Sequence, residues 1–461
     1  MLKFVDRESE LQFLEKKYKS GQAEFIILYG RRRIGKTELL LRFAENKRIL
    51  YFLGRLESKE DTIRRLNHSL IDFFKDLDML KSPLRNWDDV FDYLGKKAEN
   101  SRFVVAFDEF PLIIEKFPEV ISVLQDKWDN VLRKTKIMLI LSGSSISMME
   151  KHTLSYKSPL YGRRTGQWQL NKLKIKHLKE FFPKYTLEDL LLVYSCLDTI
   201  PGYLVKFSPA TDIWENIKDK MLSKGEFLYE EIEVLLREEL RDPSNYMSIL
   251  SAIAGGVSRF NEIHTKTQLD KSLLSKYLFI LERLGIVEKV IPVTESYKSK
   301  LKAKGALYVL KDNFFDFWFK FVYPNKQMLE SGKVSLVQSQ LKSKINEHLG
   351  VKFEDFVREI MPEIGIMEIT EIGRWWRKDK EVEIVALNEQ KKEILFAECK
   401  WQGNVNAGKT LSELREKTKN IDWHKEDRKE YFVIFAKSFK KKIKEKNVFC
   451  FDLKDIDSIL D

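Results

Sequence analysis

The chain has 461 residues, 43% hydrophobic and 12% aromatic, which is enough apolar material for packed cores and excludes a disordered chain. Its formal net charge of +11 suits a polyanionic partner such as nucleic acid, and serves solubility equally well. Three cysteines, Cys196, Cys399 and Cys450, without CxxC spacing exclude a disulfide framework and a four-cysteine zinc site. The first residues carry no apolar signal core, and no run approaches the ~18 apolar residues of a membrane span. The expectation is a soluble, cytoplasmic protein.

In chain order, residues 7–18 carry Leu11, Phe13, Leu14 and Tyr18 at helical spacing. Phe25–Tyr29 is a continuous apolar run of the kind that forms a parallel strand buried on both faces. The loop Gly30-Arg31-Arg32-Arg33-Ile34-Gly35-Lys36-Thr37 follows, and then a helical stretch over 37–46. Strand, glycine loop and helix in that order are what a phosphate-cradling P-loop requires. Gly30 and Gly35 free the backbone to turn its N–H groups on an anion, and the helix adds its positive end. Lys36 is placed to reach the β- and γ-phosphates of ATP, and the Thr37 hydroxyl to ligate Mg²⁺.

The run 103–107 ends at Asp108-Glu109. Asp108 is the expected second holder of Mg²⁺, and Glu109 the expected general base for the attacking water. A third run, 137–141, ends at Ser142-Gly143-Ser144-Ser145, where Ser144 is either a partner of the γ-phosphate or water, or a helix N-cap. Arg163 and Arg164 either stabilise charge on the transferring phosphoryl group or form a solvated surface turn. Apolar runs alternating with helical stretches predict an α/β fold on a parallel sheet over residues 1–172.

From 173 to 242 the pattern is helical, with a boundary near Asp242-Pro243-Ser244. Residues 243–330 follow, and 258–287 within them fit a winged helix-turn-helix: a first helix at Phe260–Ile263, a recognition helix over 272–284, and a wing returning through 305–310. If the module reads DNA, Lys271, Ser272, Ser275 and Lys276 approach the groove, and Lys298, Lys300, Lys302 and Lys304 meet phosphates. The alternative is an internal packing module. The aromatic segment 314–321 reads as buried, and 331–344 as a linker or a helix.

A last unit spans 345–461. Strands are expected at 381–387 and 393–400. Glu398 and Lys400 share one strand face, Glu383 lies on the preceding strand, and Glu354 on the upstream helix completes a set of three carboxylates and a lysine. Such a set suits a second Mg²⁺ or Mn²⁺, water activation and stabilisation of charge on a phosphate. Lys437, Lys440, Lys441, Lys442, Lys444 and Lys446 suit phosphate contacts or a solvated helix.

The blocks Phe4-Val5-Asp6-Arg7-Glu8, Gly30–Thr37, Asp108-Glu109, Leu141–Ser145 and Leu160–Arg164 together resemble an archaeal-type ATPase of the STAND branch of AAA+-like NTPases. The resemblance implies ATP binding and makes Arg7 an adenine-side residue. It also implies a Gly-Gly-x-Pro segment in a helical lid over 173–242. Here that segment is Asp198-Thr199-Ile200-Pro201, with Pro201 kept and both glycines replaced. The set Glu354, Glu383, Glu398 and Lys400 resembles the PD-(D/E)xK nuclease arrangement, with Glu383 in place of the usual Asp, and residues 373–376 and 398–401 resemble the domain of unknown function that follows the ATPase in a subset of these archaeal proteins. The implied protein is an ATP-binding and ATP-hydrolysing switch coupled to a module that binds or cuts DNA. A non-catalytic regulator that assembles with a partner under ATP control is the rival, and homo-oligomerisation stays open.

Overall fold

The computed structural model describes residues 4–240, 242–295, 305–378 and 380–460. The chain divides into two compact units, 1–172 with 200–202, and 173–199 with 203–461.

The first unit is built on five strands: β1 Glu24–Tyr29, β2 Ile49–Leu53, β3 Val104–Asp108, β4 Met138–Gly143 and β5 Gly166–Gln169. They lie in the order β2-β3-β4-β1-β5, and all pairs are parallel. Parallel neighbours need crossover connections, which the intervening helices provide. Every residue of β1, β3 and β4 is buried, as strands covered on both faces must be. On one face Phe25, Ile27, Phe107 and Leu139 pack with Trp87, Phe91 and Trp128; on the other Ile26, Leu28, Ala106 and Ile140 pack with Leu14, Leu39 and Phe43. The parallel α/β fold expected over this stretch is observed.

Helix α1, Glu8–Lys19, precedes β1, and α2, Lys36–Ala44, follows it. Because the strands are parallel, their C-terminal ends lie along one sheet edge. The loop after β1, the Asp108 end of β3 and the Ser142–Ser145 turn after β4 therefore meet there, with β4 between β3 and β1.

In the second unit, helix α3, Leu187–Leu197, is closed by a capping box of Thr186 and Asp189. Three helices, α4 Pro243–Ala254, α5 Phe260–Thr267 and α6 Lys271–Arg283, lead into an antiparallel ribbon of β6 Val287–Val290 and β7 Leu307–Leu310. Lys298, Lys300, Lys302 and Lys304 lie outside the described residues. Helix α7, Asn313–Phe317, starts at Asp312, whose carboxylate accepts from the Phe314 and Phe315 N–H groups. Phe314, Phe315, Phe317, Trp318 and Phe319 are all buried.

Residues 334–364 form one 31-residue helix, α8 Val334–Ile364, which absorbs most of the stretch read as linker or helix. A five-stranded sheet follows: β8 Glu371–Arg377, β9 Lys380–Asn388, β10 Glu393–Lys400, β12 Lys429–Ala436 and β14 Val448–Phe451, in the order β14-β12-β10-β9-β8. The pairs β8–β9 and β9–β10 are antiparallel; β10–β12 and β12–β14 are parallel. Helix α9, Ala407–Thr418, makes the crossover from β10 to β12. A short pair, β11 Val405–Asn406 with β13 Phe439–Lys441, flanks it. The lysine-rich segment is thus strand and turn, not helix. Lys437 pairs with Glu188 at 2.6 Å and Lys442 with Asp452 at 2.8 Å. Among the described residues no helix is long and apolar enough to cross a membrane.

Candidate nucleotide and glutamate–lysine sites

The loop after β1 is shaped by two glycines. Gly35 has φ +93°, a left-handed conformation that side chains resist. At Gly30 a Cβ would lie 2.6 Å from the Leu170 carbonyl oxygen, so only glycine permits that approach. Arg33 also sits at positive φ, and Ile34 is buried beneath the loop. Lys36 opens α2 and is 5% exposed. Its Nζ donates to the Gly30 and Arg31 carbonyls at 2.9 and 3.0 Å, lying across the mouth of the loop. Arg31 and Arg32 are half-buried and Arg33 is exposed.

Thr37 donates its hydroxyl to Asp108 Oδ2 at 2.8 Å, and Tyr51 of β2 donates to the same oxygen at 2.7 Å. Burial and the bond to Asp108 push the Tyr51 phenol upward, so it stays a donor. The paired oxygens of Thr37 and Asp108 fit the Mg²⁺ ion that accompanies ATP. Glu109 stands at φ 49°, which turns its carboxylate toward β4. There the Ser144 hydroxyl donates to Oε1, and the Ser144 N–H lies 3.4 Å from Oε2. The carboxylate expected as general base is therefore aimed by the serine at the end of the neighbouring strand. Tyr51 was missed in the sequence, where Ile49–Leu53 shows only an apolar run.

Arg7 is 4% exposed. Its guanidinium donates to the Ile34 carbonyl at 2.9 Å, to the Asn171 carbonyl at 2.8 Å, and pairs with Glu10 at 2.9 Å. It ties the base of the loop to the segment after β5. Pro201 begins a helical turn in which the Gly202 N–H donates to the Arg33 carbonyl at 2.9 Å. A Cβ on Gly202 would come within 2.8 Å of the Arg33 Cβ, so this glycine, unremarked in the sequence, is what lets the segment touch the loop. Asp198 takes φ 56° and ψ −154°, a region that strains any residue with a side chain. Its carboxylate accepts from Thr199 N–H at 2.8 Å, and Asn313 N–H lies 3.4 Å from it.

Arg163 requires a correction. Its guanidinium grips Asp129 through three bonds of 2.7–3.1 Å. It lies two residues before Thr165, whose N–H bonds the Phe25 carbonyl at the start of β1. That is the sheet edge opposite the phosphate loop, because β1 and β5 run parallel.

In the second unit, β9 and β10 bring Glu383 beside Glu398 and Lys400, and α8 supplies Glu354. The ladder between β9 and β10 runs only as far as Ile384 and Ala397. Beyond it Glu383 Oε2 accepts the Cys399 N–H at 2.6 Å. Glu354 pairs with Arg374 of β8 at 3.0 Å. Glu398, 5% exposed, accepts from Lys400 at 2.7 Å and from Lys417 of α9 at 2.8 and 3.0 Å. Burial, with neighbouring carboxylates, raises Glu354 to about 7 and Glu383 to about 8. The expected three-carboxylate metal set is a second correction. Among the described residues no three His, Cys, Asp or Glu side chains are grouped to hold a metal ion. Each of these glutamates is instead engaged by a lysine, an arginine or a backbone N–H. Arg374 and Lys417 were missed because their partners lie 20 and 19 residues away on other elements.

Residues 4–207 match a family described as an ATPase domain predominantly from Archaea, and 318–418 match archaeal and bacterial proteins of unknown function. The chain is 36% identical over 459 residues to uncharacterized protein MJECL04 of Methanocaldococcus jannaschii, covering 98% of this chain and 99% of that one. The chain belongs to this archaeal ATPase family. A second relative, uncharacterized ATP-binding protein MJ0423 of the same organism, is 59% identical over 46 residues, which are 10% of this chain and 78% of that one. Among solved structures, the Walker-type ATPase PABY2304 of Pyrococcus abyssi superposes with a TM-score of 0.53 at 22% identity, over 69% of this chain and 96% of that one. That likeness is one of fold. Family and fold together make the first unit of this archaeal ATPase a P-loop ATPase core.

Proposed function

We propose that this archaeal ATPase is an ATP-driven switch that acts on nucleic acid. ATP sits on Gly30–Thr37, with Lys36 on the β- and γ-phosphates, and Thr37 and Asp108 on the accompanying Mg²⁺. Glu109, held by Ser144, orients or deprotonates the attacking water. The single observation that carries the hydrolytic reading is the Thr37–Asp108 and Glu109–Ser144 pairing at one sheet edge. Helices α4–α6 and the β6–β7 ribbon have the order of a winged helix, with Lys271, Ser272, Ser275 and Lys276 exposed on α6. The sheet β8–β10, β12 and β14, with α8 and α9, has the order of a PD-(D/E)xK nuclease core. Its glutamates are already committed to partners, which favours binding of nucleic acid over cutting.

The test is the ATPase rate with and without duplex DNA, beside incubation of plasmid with the protein and Mg²⁺ or Mn²⁺. The expected result is stimulation of hydrolysis by DNA without cleavage. Indifference to DNA sinks the nucleic-acid reading. Cleavage that disappears in Glu398→Ala and Lys400→Ala moves the module from binding to cutting.

A second reading, a slow ATP-controlled regulator that assembles with a protein partner, is favoured by Asp198. Its strained backbone stands where the resembled family has glycine. It predicts turnover that does not respond to DNA.

A further inference from the structure

We propose that Lys352 is a positioning residue: it sets how Arg374 divides between Asp355 and Glu354, and so passes the state of the 198–202 segment to strand β8. This role rests on the reading of the chain as an ATP-driven switch.

The Tyr194 carbonyl of α3 accepts both the Asp198 N–H and the Asn313 side-chain amide, each at 3.0 Å. Asn313 opens α7, so α7 hangs from the end of α3 beside the strained Asp198. Asp198 is joined through Thr199 and Ile200 to Pro201-Gly202, the turn on the Arg33 carbonyl. Asp316 lies three residues after Asn313, on the same side of α7. Its carboxylate takes the ammonium of Lys352 on α8 at 2.6 Å, and that lysine is 2% exposed. Burial pulls the Lys352 pKa down, but Asp316 and Asp355 outweigh it and raise the value, so the lysine is charged. His348, one turn earlier on α8 and packed against the Phe317 and Phe321 rings, is pushed down by burial to about 3 and stays neutral.

From Lys352 the charges alternate through Asp355 and Arg374 to Glu354. Lys352 lies 3.8 Å from Asp355, and Arg374 lies 3.5 Å from Asp355 and 3.0 Å from Glu354. Arg358 also holds Asp355, at 2.8 Å, and Glu381 lies 3.9 Å from Arg374. Lys352 and Arg374 thus each stand between acids, nearer to one. Stability alone does not call for such a row, because apolar side chains of the same volume often serve a core as well as a buried ion pair. A shift of α7 by about 1–2 Å, ordinary for a packed helix, reverses the preference of Lys352. Lys352 then closes on Asp355, and Arg374 is left to Glu354.

The experiment is hydrogen–deuterium exchange on the full chain, nucleotide-free and at saturating AMP-PNP with Mg²⁺. Asp316→Asn/Lys352→Gln replaces the ion pair with a neutral hydrogen bond. The expected result is a nucleotide-dependent change in uptake at 371–377 in the parent, which falls below about half in this variant while AMP-PNP affinity stays within about twofold. A lysine that only holds the fold together would lower the melting temperature and leave that nucleotide dependence intact. A second variant, Asp198→Gly/Asn313→Ala, removes both side-chain links between α3 and α7 and puts glycine where the backbone favours it. It also loses at least half of the change at 371–377.

A full nucleotide-dependent change at 371–377 in either folded variant overturns the role of Lys352. A parent that responds to AMP-PNP at 173–199 but not at 371–377 also overturns it and leaves the switch reading standing. A parent that binds AMP-PNP and responds at neither segment sinks both.

Discussion

Residues 30–37 and 403–410 both spell Gly, four residues, Gly-Lys-Thr, yet they have different backbones. In the first, β1 ends at Tyr29, directly before Gly30. Arg33 and Gly35 sit at positive φ, and α2 begins at Lys36. The helix start therefore coincides with the lysine, which is drawn back across the loop. In the second, β10 ends at Lys400 and a short strand, β11, intervenes at Val405–Asn406. Helix α9 begins at Ala407, so Gly408 lies inside it, and Asn406 caps it by accepting the Lys409 N–H at 3.1 Å. Lys409 is 75% exposed beside Glu413, and the Thr410 hydroxyl turns back to the Asn406 carbonyl. The pattern is the same, but the second segment's threonine hydroxyl donates to a carbonyl of its own helix start, where that of Thr37 donates to Asp108 on a neighbouring strand. Phosphate binding belongs to the backbone turn and its neighbours, not to the spelling.

The comparison breaks or sharpens under substitution. Lys36→Ala has the largest expected effect: ATP affinity falls by on the order of a hundredfold and hydrolysis is lost. The equivalent Lys409→Ala leaves both within twofold, as nucleotide titration and phosphate release will show. Gly35→Ala forces a Cβ into φ +93° and costs about 1–2 kcal/mol with at least tenfold weaker ATP binding. Its counterpart Gly408→Ala places alanine within a helix, where the new Cβ meets Asn406 Oδ1 at an ordinary 3.5 Å. Stability there is unchanged or rises by up to ~1 kcal/mol in thermal melts.

Tyr51→Phe removes one of the two hydroxyls on Asp108. Hydrolysis falls a few-fold and stability by about 1 kcal/mol, measured by steady-state rate and denaturant unfolding. Asn406→Ala acts on stability alone. The lost cap costs ~1 kcal/mol and ATP turnover does not change.

Much of this site was legible along the chain. The apolar run at 25–29 is β1 from Glu24 to Tyr29, and the run at 103–107 is β3, ending at Asp108. The strand expected at 393–400 is β10 over the same residues. Uninterrupted apolar residues bounded by turn signals have few alternatives to a buried strand. Arg163 was not legible, because nothing local states which end of a parallel sheet a loop joins. That is fixed by the register of β5 on β1 and by a carboxylate 34 residues away at Asp129. Glu383 was legible as a neighbour of Glu398, but not as the acceptor of the Cys399 N–H. The β9–β10 ladder ends at Ala397, and strand divergence leaves no mark in composition.

By itself the sequence determined the P-loop, its strand and helix, and the acid pair at Asp108-Glu109. These depend on contiguous residues whose glycines and apolar runs permit one local backbone. Only the tertiary structure decided that Tyr51 shares Asp108, that Ser144 aims Glu109, that Lys417 joins Lys400 on Glu398, and that the second Gly-x₄-Gly-Lys-Thr forms no loop. Each of these depends on which strands become neighbours and where their pairing stops. That choice is made by burying whole faces of helices and sheets, and no single segment encodes it.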